Sequence, residues 1–239
     1  MYKGLKILAI ITARGGSKGL PGKNIKEMNG KPLLAWTIEQ AKTSKYLDEI
    51  FVSTDSEDIA EVSNNYGVDV QELRPKYLAT DDASSIDVIE YTIELLRKKG
   101  KCFDYLILLE PTSPLRKWDD IDNMIQIAGE NNECDGVISV GKVHTEHPMI
   151  LKKISSQGRI IPYHNDLHMA YQRQQHDAAY FPYGVGYLIK VSKLIETHTI
   201  YTDNIIPYYI DRWQNYEVDD IYDFICIEAI MKARGEDYE

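Results

Sequence analysis

The feature that most constrains the fold is a regular alternation of short apolar segments with longer amphipathic ones. The first segment, Ile7–Thr12, is almost wholly apolar, as strands of a parallel sheet are when both of their faces are buried. A helical pattern then opens at Pro32, because apolar residues recur from Leu33 to Ala41 at spacings of three and four. The repeated alternation predicts an α/β fold in three layers, with helices on both faces of a mostly parallel sheet.

The same pattern can be followed along the rest of the chain. Further strands are predicted over 50–53, 68–70, 105–109, 136–143, 185–191 and 205–210. Further helices are predicted from Asp55 or Ser56 to Tyr66, from Ser84 or Ser85 to Lys99, and over 118–131 and 221–233. Ligands of such sheets bind at the carboxyl ends of the strands, so we expect the site in the loops found there.

Residues 144–180 interrupt the alternation with a polar stretch rich in histidine and glutamine. A stretch of about 35 residues without strong regular structure is long for a compact domain. We therefore expect one domain over 1–239, with 144–180 as an inserted segment and a candidate dimerisation element.

The charge of the chain is strongly acidic but unevenly distributed. It has 27 Lys and Arg against 37 Asp and Glu, a net charge of −10, which disfavours general nucleic-acid binding because that binding depends on phosphate neutralisation. Residues 1–31, however, hold seven basic residues and one acid. A basic region on an acidic protein indicates a small polyanion such as a nucleoside triphosphate, with a solvated basic surface as the alternative.

Composition also bears on where the protein works. No run of apolar residues approaches the 18 needed for a membrane helix, and the first apolar run is too short for a signal peptide. The three cysteines, Cys102, Cys134 and Cys226, are odd in number and scattered, so they predict no disulfide framework. These features favour a cytoplasmic protein.

A glycine-rich loop, residues 13–24, follows the first predicted strand, which is a common place for backbone amides to hold phosphates. It is not a P-loop, because five residues separate Gly16 from Gly22 and Asn24 stands where Ser or Thr is needed. It also lacks the G-x-G-x-x-G spacing of dinucleotide-binding loops. Its three cations, Arg14, Lys18 and Lys23, suit the β- and γ-phosphates of a triphosphate.

The motifs of this chain, taken in order, resemble one family. R-G-G-S-K-G-x-P-x-K-N after the first strand is followed by I-F-V-S-T-D-S, R-P-x-x-L-A-x-D-x-A-S-S, L-L-E-P-T-S-P-L-R and E-V-D. This series resembles the acylneuraminate cytidylyltransferases, the CMP-sialic acid synthetases. The resemblance implies a Rossmann-like nucleotidyltransferase fold, a homodimer built partly by an inserted hairpin, and Mg²⁺. It also implies transfer of CMP from CTP to the anomeric hydroxyl of an acidic 2-keto sugar, a sialic acid-like nonulosonate, with release of pyrophosphate.

The resemblance also implies roles for individual residues. Those expected at the triphosphate are Arg14, Gly15, Gly16, Ser17, Lys18, Lys23 and Asn24. Those expected at the cytosine or its ribose are Arg74, Ala83 and Ser85. Those expected at the sugar are Glu110, Arg116, Arg173 and Tyr183. Glu217 and Asp219 are expected to bind the metal, and Arg14, Lys23 and Asp219 to be catalytic.

Three departures from the family pattern concern the acceptor side. Glu110 stands where sialate-specific members carry Gln, Glu217 replaces the first Asp of an Asp-x-Asp pair, and residues 180–184 read Y-F-P-Y-G in place of F-R-P-N-G. A different sugar or a phosphorylated acceptor therefore remains an alternative, as does a non-catalytic nucleotide-binding protein. The acids near Asp219 could also serve only as the charged N-terminus of the last helix.

Overall fold

A computed structural model describes residues 1–163 and 177–235. Its strands are β1 Ile7–Thr12, β2 Glu27–Met28, β3 Lys31–Pro32, β4 Glu49–Ser53, β5 Tyr105–Leu109, β6 Gly136–Lys142, β7 Lys152–Ile154, β8 Ile160–Pro162, β9 Tyr180–Lys190 and β10 Ile205–Tyr209. Its α-helices are α1 Leu33–Thr43, α2 Glu57–Asn65, α3 Ser85–Lys98, α4 Asp120–Glu130, α5 Val191–Thr197 and α6 Ile221–Arg234. Within the described residues, no helix is both long and apolar enough to cross a membrane.

The central sheet has six strands in the order β10-β6-β9-β5-β1-β4. Three of its five strand pairings are parallel, and the two made by β9 are antiparallel. β1 lies between β4 and β5, so that Ile10 pairs with both Phe51 and Leu108. The predicted, mostly parallel sheet is confirmed.

Both faces of the sheet are buried, and β1 shows how its sequence divides between them. Ile7 and Ile11 belong to one apolar cluster, which includes residues of α1, α2 and α4. Leu8 and Ile10 point the other way, into a second cluster with residues of α3 and the α5 residue Leu194. The continuous apolar run of β1 is therefore explained by two helical layers, one on each face.

A third apolar cluster positions the end of the chain near the sheet. Phe224 and Ile227 of α6 pack with Leu33 and Trp36 of α1 and with Val218, just before α6. Val218 also donates its backbone N–H to the Thr112 carbonyl at 2.8 Å. These contacts fix residues 217–219 beside the loop that follows β5.

The strand predicted over 68–70 is wrong. Gly67 adopts a positive φ of 82° after α2, and the following backbone bonds back to that helix. The Val68 N–H donates to the Ser63 carbonyl at 3.0 Å, and the Val70 N–H donates to Asn64 Oδ1 at 2.8 Å. Because these donors are satisfied locally, the segment does not extend the sheet beyond β4.

Candidate functional site

A cleft of about 530 Å³ opens at the carboxyl ends of β1 and β5, where an α/β sheet is expected to bind its ligand. Four segments form its walls: the glycine-rich loop, the loop before α3, the turn after β5 and residues 217–219. The predicted site residues that line it are Arg14, Ser17, Lys18, Lys23, Asn24, Arg74, Ala83, Ser85, Glu110, Glu217 and Asp219. The structure thus gathers in one place residues separated by up to about 200 positions in the sequence.

Two cations of the glycine-rich loop contact a carboxylate that the sequence analysis missed. Arg14 Nη2 lies 2.9 Å from Asp81 Oδ1, and Lys18 Nζ lies 2.7 Å from Asp81 Oδ2. The hydrogen bond from Lys18 is the main cause of a lowered pKa of the Asp81 carboxyl. Asp81 is the Asp of the R-P-x-x-L-A-x-D motif. The motif could therefore have marked Asp81 as a site residue, but the sequence did not show that it would contact Arg14 and Lys18.

The third cation, Lys23, joins the loop to the segment before α6. Its side chain is only 17% exposed, and Nζ donates to the Val218 carbonyl at 2.8 Å and lies 3.7 Å from Asp219 Oδ1. The glycine-rich loop can pack against the Asp219 backbone because residue 19 is glycine. A Cβ at Gly19 would lie 2.3 Å from the Asp219 carbonyl oxygen. Lys23 is therefore held within the cleft by a fixed backbone partner.

The opposite wall holds Arg74, Ala83 and Ser85. The Arg74 side chain is 5% exposed, and its nearest anion is Asp55, with Oδ1 3.8 Å from Nη2. Burial lowers the pKa of the Arg74 guanidinium. Within the described part of the chain, its Nε and Nη2 atoms are buried without a hydrogen-bond partner. A buried guanidinium with unused donors is suited to bind a polar ligand group.

Three carboxyl groups line the remaining part of the cleft: Glu110, Glu217 and Asp219. Burial, together with the charge of Glu217, raises the pKa of Glu110 to about 7. Burial also raises the pKa of Glu217, whose Oε1 accepts hydrogen bonds from Ser113 Oγ at 3.1 Å and from the Gly184 N–H. Gly184 also lets the Glu110 carboxyl group lie against the backbone of β9, because a Cβ at residue 184 would lie 2.5 Å from Glu110 Oε2.

The acids at the start of α6 divide into two roles. Asp220 is the N-cap, accepting from the N–H groups of Tyr222 and Asp223, and Asp223 accepts from the Asp220 N–H. Asp219 donates its own N–H to Asp223, while its side chain is 84% exposed at the cleft. The helix-terminal role is thus filled by Asp220 and Asp223, which leaves the Asp219 carboxylate available to a ligand.

Some predicted site residues do not line the cleft. Gly15 donates its N–H to Asp55 Oδ1 at 3.0 Å, and neither Gly16 nor Tyr183 forms part of the wall. Arg173 lies outside the described residues.

The prediction of Arg116 as a sugar contact needs correction. This side chain is fully buried and donates to the carbonyls of Gly184 at 2.9 Å and Val185 at 2.6 Å, and to Gln40 Oε1 at 2.7 Å. Its guanidinium therefore joins β9 and α1 to the loop after β5. Because the side chain is buried beneath the loop after β5, it supports that wall of the cleft and is not exposed in it.

With this geometry in view, comparisons with known proteins decide the family. A family profile described as "Cytidylyltransferase" matches residues 8–209. The chain belongs to the cytidylyltransferase family. It is a nucleotidyltransferase, and the resemblance drawn from its motifs is confirmed.

Relatives with similar sequences include synthases of several CMP-linked sugars. CMP-N,N'-diacetyllegionaminic acid synthase of Legionella pneumophila is 35% identical, over 97% of this chain and 99% of its own length. N-acylneuraminate cytidylyltransferase of Escherichia coli is 31% identical over 96% of this chain, which spans only 53% of that relative. Pseudaminic acid cytidylyltransferase of Campylobacter jejuni is 28% identical, over 97% of this chain and 99% of its own.

Solved structures confirm the Rossmann-like nucleotidyltransferase fold. CMP-2-keto-3-deoxy-manno-octonic acid synthetase, solved with CTP, aligns with a TM-score of 0.70 at 17% identity, covering 96% of this chain and 99% of its own. 4-Diphosphocytidyl-2C-methyl-D-erythritol synthase from Anaerococcus prevotii aligns with a TM-score of 0.61 at 16% identity, and the alignment covers 96% of this chain and 100% of that structure. At these identities the likeness concerns the fold.

Proposed function

We propose that this cytidylyltransferase moves CMP from CTP to the anomeric hydroxyl of an acidic nine-carbon 2-keto sugar and releases pyrophosphate. The observation that carries the proposal is the cleft at the carboxyl ends of β1 and β5, where loop cations, a buried arginine and three carboxyl groups surround one space. The names of the relatives with similar sequences support a sugar of the legionaminic, sialic or pseudaminic acid class.

In this reaction the anomeric hydroxyl of the sugar loses its proton to solvent and its oxygen bonds to the α-phosphorus, as the bond from that phosphorus to the oxygen of the β-phosphate breaks. Negative charge develops on the departing pyrophosphate, and preorganised cations near it lower the barrier. Lys23 is already fixed in the cleft by the Val218 carbonyl. Arg14 and Lys18 are positioned by Asp81 and would exchange that carboxylate for phosphate oxygens when CTP binds.

The donor groups of the cleft fit Mg²⁺, which prefers oxygen ligands and is commonly held by one or two carboxylates plus substrate phosphates. The exposed Asp219 carboxylate and the second oxygen of Glu217 are the groups that would hold it. Within residues 1–163 and 177–235, no three or more His, Cys, Asp and Glu side chains are arranged to bind a metal by themselves, so phosphate oxygens would complete the site. A bound Mg²⁺ would neutralise phosphate charge and make the α-phosphate more susceptible to attack.

The acceptor would lie beside Glu110, where carboxyl oxygens replace the amide of sialate-specific relatives. Glu110 can accept hydrogen bonds from sugar hydroxyl or amide groups. Tyr183 and Arg173 remain predicted sugar contacts. The departures at Glu110 and at residues 180–184 support an acceptor other than sialic acid itself.

We also propose a homodimer formed partly by the inserted segment. Strands β7 and β8 form a hairpin, and Ile150, Leu151, Ile154 and Ile160 on or near it are exposed. Covering such a group of apolar side chains is a usual reason for association. Sedimentation analysis measures the mass directly.

A cytoplasmic location is proposed from the three cysteines, which are all unpaired in the structure.

Pyrophosphate release with CTP, UTP, ATP and GTP, each with a panel of acceptors, tests the proposed function. The panel contains N,N'-diacetyllegionaminic, N-acetylneuraminic and pseudaminic acids, 2-keto-3-deoxy-manno-octonic acid and a sugar 1-phosphate. We expect CTP to be used far better than the purine nucleotides, and a nine-carbon acid to be the best acceptor. Equal use of ATP would contradict the nucleotide assignment, and preference for the sugar 1-phosphate would establish the phosphorylated-acceptor alternative. Binding of CTP without turnover of any acceptor would favour a nucleotide-binding protein.

A further inference from the structure

Asp55, the residue of the I-F-V-S-T-D-S motif that the proposed mechanism leaves without a role, lies between the two ends of the nucleotide site. Its Oδ1 atom accepts the Gly15 N–H at 3.0 Å and lies 3.8 Å from Arg74 Nη2. Gly15 belongs to the glycine-rich loop, and Arg74 belongs to the opposite wall. One carboxylate oxygen therefore contacts both walls of the cleft.

Backbone contacts hold Asp55 and its partners in this arrangement. The Ala13 N–H donates to the Ser53 carbonyl at 3.0 Å, and the Arg74 N–H donates to the Thr54 carbonyl. A Cβ at Gly15 would lie only 3.1 Å from Ser56 Cβ, so the two turns are closely packed. The segment after β4 is thus anchored on one side to the glycine-rich loop and on the other to Arg74.

The surroundings of Arg74 make the ion pair with Asp55 important. The guanidinium is almost fully buried, and two of its nitrogen atoms have no hydrogen-bond partner in the described residues. Removing charge from water is costly unless an opposite charge or a ligand compensates. Asp55 supplies a nearby negative charge that compensates the buried Arg74 guanidinium and orients it before a ligand arrives.

We propose that Asp55 is a positioning residue, which couples the triphosphate end of the cleft to the Arg74 end so that both are arranged before CTP binds. This inference rests on the proposed function, because it takes CTP as the ligand that spans both ends. Asp55 itself lies behind the loop and acts through Gly15 and Arg74. Its loss should weaken nucleotide binding more than it slows the chemical step.

Two substitutions at Asp55 separate its hydrogen bond from its charge. Asp55→Asn keeps an oxygen that can accept the Gly15 N–H but removes the charge beside Arg74, whereas Asp55→Ala removes both. We expect the KM for CTP to rise by about tenfold in Asp55→Asn and further in Asp55→Ala, with kcat changed by less than about threefold. Asp58→Asn is the matched control, since Asp58 is an exposed acid three residues along the chain.

A double-mutant cycle tests whether Asp55 acts through Arg74. CTP binding is measured by calorimetry for the wild type, Asp55→Asn, Arg74→Lys and the double variant, without acceptor. If the two residues act together, the double variant should bind within about threefold of the weaker single variant. Thermal melting of each variant identifies any that fail to fold, and the KM-to-kcat pattern of the folded variants separates positioning from general destabilisation.

The outcomes distinguish this inference from the proposed function. If the wild type does not bind CTP, both fail. If the wild type binds CTP but Asp55→Asn binds it as well as Asp58→Asn does, Asp55 has no positioning role. The coupling is also overturned if the losses of CTP affinity in the two single variants multiply fully in the double variant. It is likewise overturned if kcat falls while KM is unchanged. Both outcomes leave the proposed function intact.

Discussion

Glu110 offers the sharpest physical test of the cleft, because its carboxyl group is buried beside a second carboxyl group. Burial, with the charge of Glu217, raises the pKa of Glu110 from 4.5 to about 7. Folding therefore favours the protonated form. The stabilising contribution is complete below the unfolded value and is lost as pH rises towards 7.

The size of the effect follows from the same two pKa values. The contribution of Glu110 to the free energy of unfolding falls by roughly 3 kcal/mol between the pH at which it is fully protonated and the pH at which it is fully ionised. Roughly 2 to 3 kcal/mol of this decrease occurs between pH 5 and pH 8. Glu110→Gln removes the titration and inserts the amide that sialate-specific relatives carry. The free energy of unfolding of the variant, relative to the wild type, should therefore increase by that amount between pH 5 and pH 8.

Thermal or urea unfolding at the two pH values, with EDTA and without nucleotide, measures this difference. In a chain of this length, the change corresponds to roughly 5 to 10 °C in relative Tm. Glu61→Gln makes the same chemical change at an exposed position of α2, and its stability relative to the wild type should be the same at both pH values. A Glu110→Gln difference that is constant with pH, or that shrinks as pH rises, would refute the reasoning.

Four other substitutions test the proposed roles, with pyrophosphate release as the assay. Lys23→Ala should lower kcat/KM by roughly 100-fold or more, because it removes a preorganised cation; a loss of only a few-fold would reject that role. Asp219→Asn should nearly abolish activity with the circular dichroism spectrum unchanged, and near-full activity at saturating Mg²⁺ would show that no metal depends on it. Asp220→Ala should instead lower stability by about 1 kcal/mol, as loss of an N-cap does, and keep activity per folded molecule. Asp81→Asn should lower the KM for CTP by freeing Arg14 and Lys18, whereas a raised KM would mean that Asp81 also supports bound nucleotide.

Much of the fold could be predicted because burial on both faces leaves a continuous apolar run that is visible in the sequence. β1 and β5 are such runs, and both have the predicted bounds. The antiparallel direction of β9 could not be predicted from the sequence. The pattern of apolar residues does not distinguish parallel from antiparallel strands, and the long segment before β9 allows both directions. α5 was also missed: it begins at Val191, the last residue of the predicted strand over 185–191, and continues through residues to which no element was assigned.

The site was predictable where one short motif supplies the chemistry, and not where a role depends on contacts across the fold. Arg14, Lys18 and Lys23 are clustered in the sequence and lie together at the cleft. Asp81 could not be matched to them in advance, because its distance from the loop depends on how the segment before α3 folds. Arg116 shows the converse: its motif lies next to the cleft, but the side chain points into the protein.

The acids before α6 show how two interpretations of one segment can both hold. A run of acids at a helix start is expected to stabilise the helix, and a carboxylate pair at a sheet edge is suited to a cation. The structure assigns the first role to Asp220 and Asp223 through the capping box. Because the cap is complete without Asp219, its side chain remains at the cleft beside Lys23. The Asp223 carboxylate also accepts the Asp219 N–H at 3.0 Å, so Asp223 ties Asp219 to the helix terminus, whereas the Asp220 side chain caps the helix without contacting the proposed metal site.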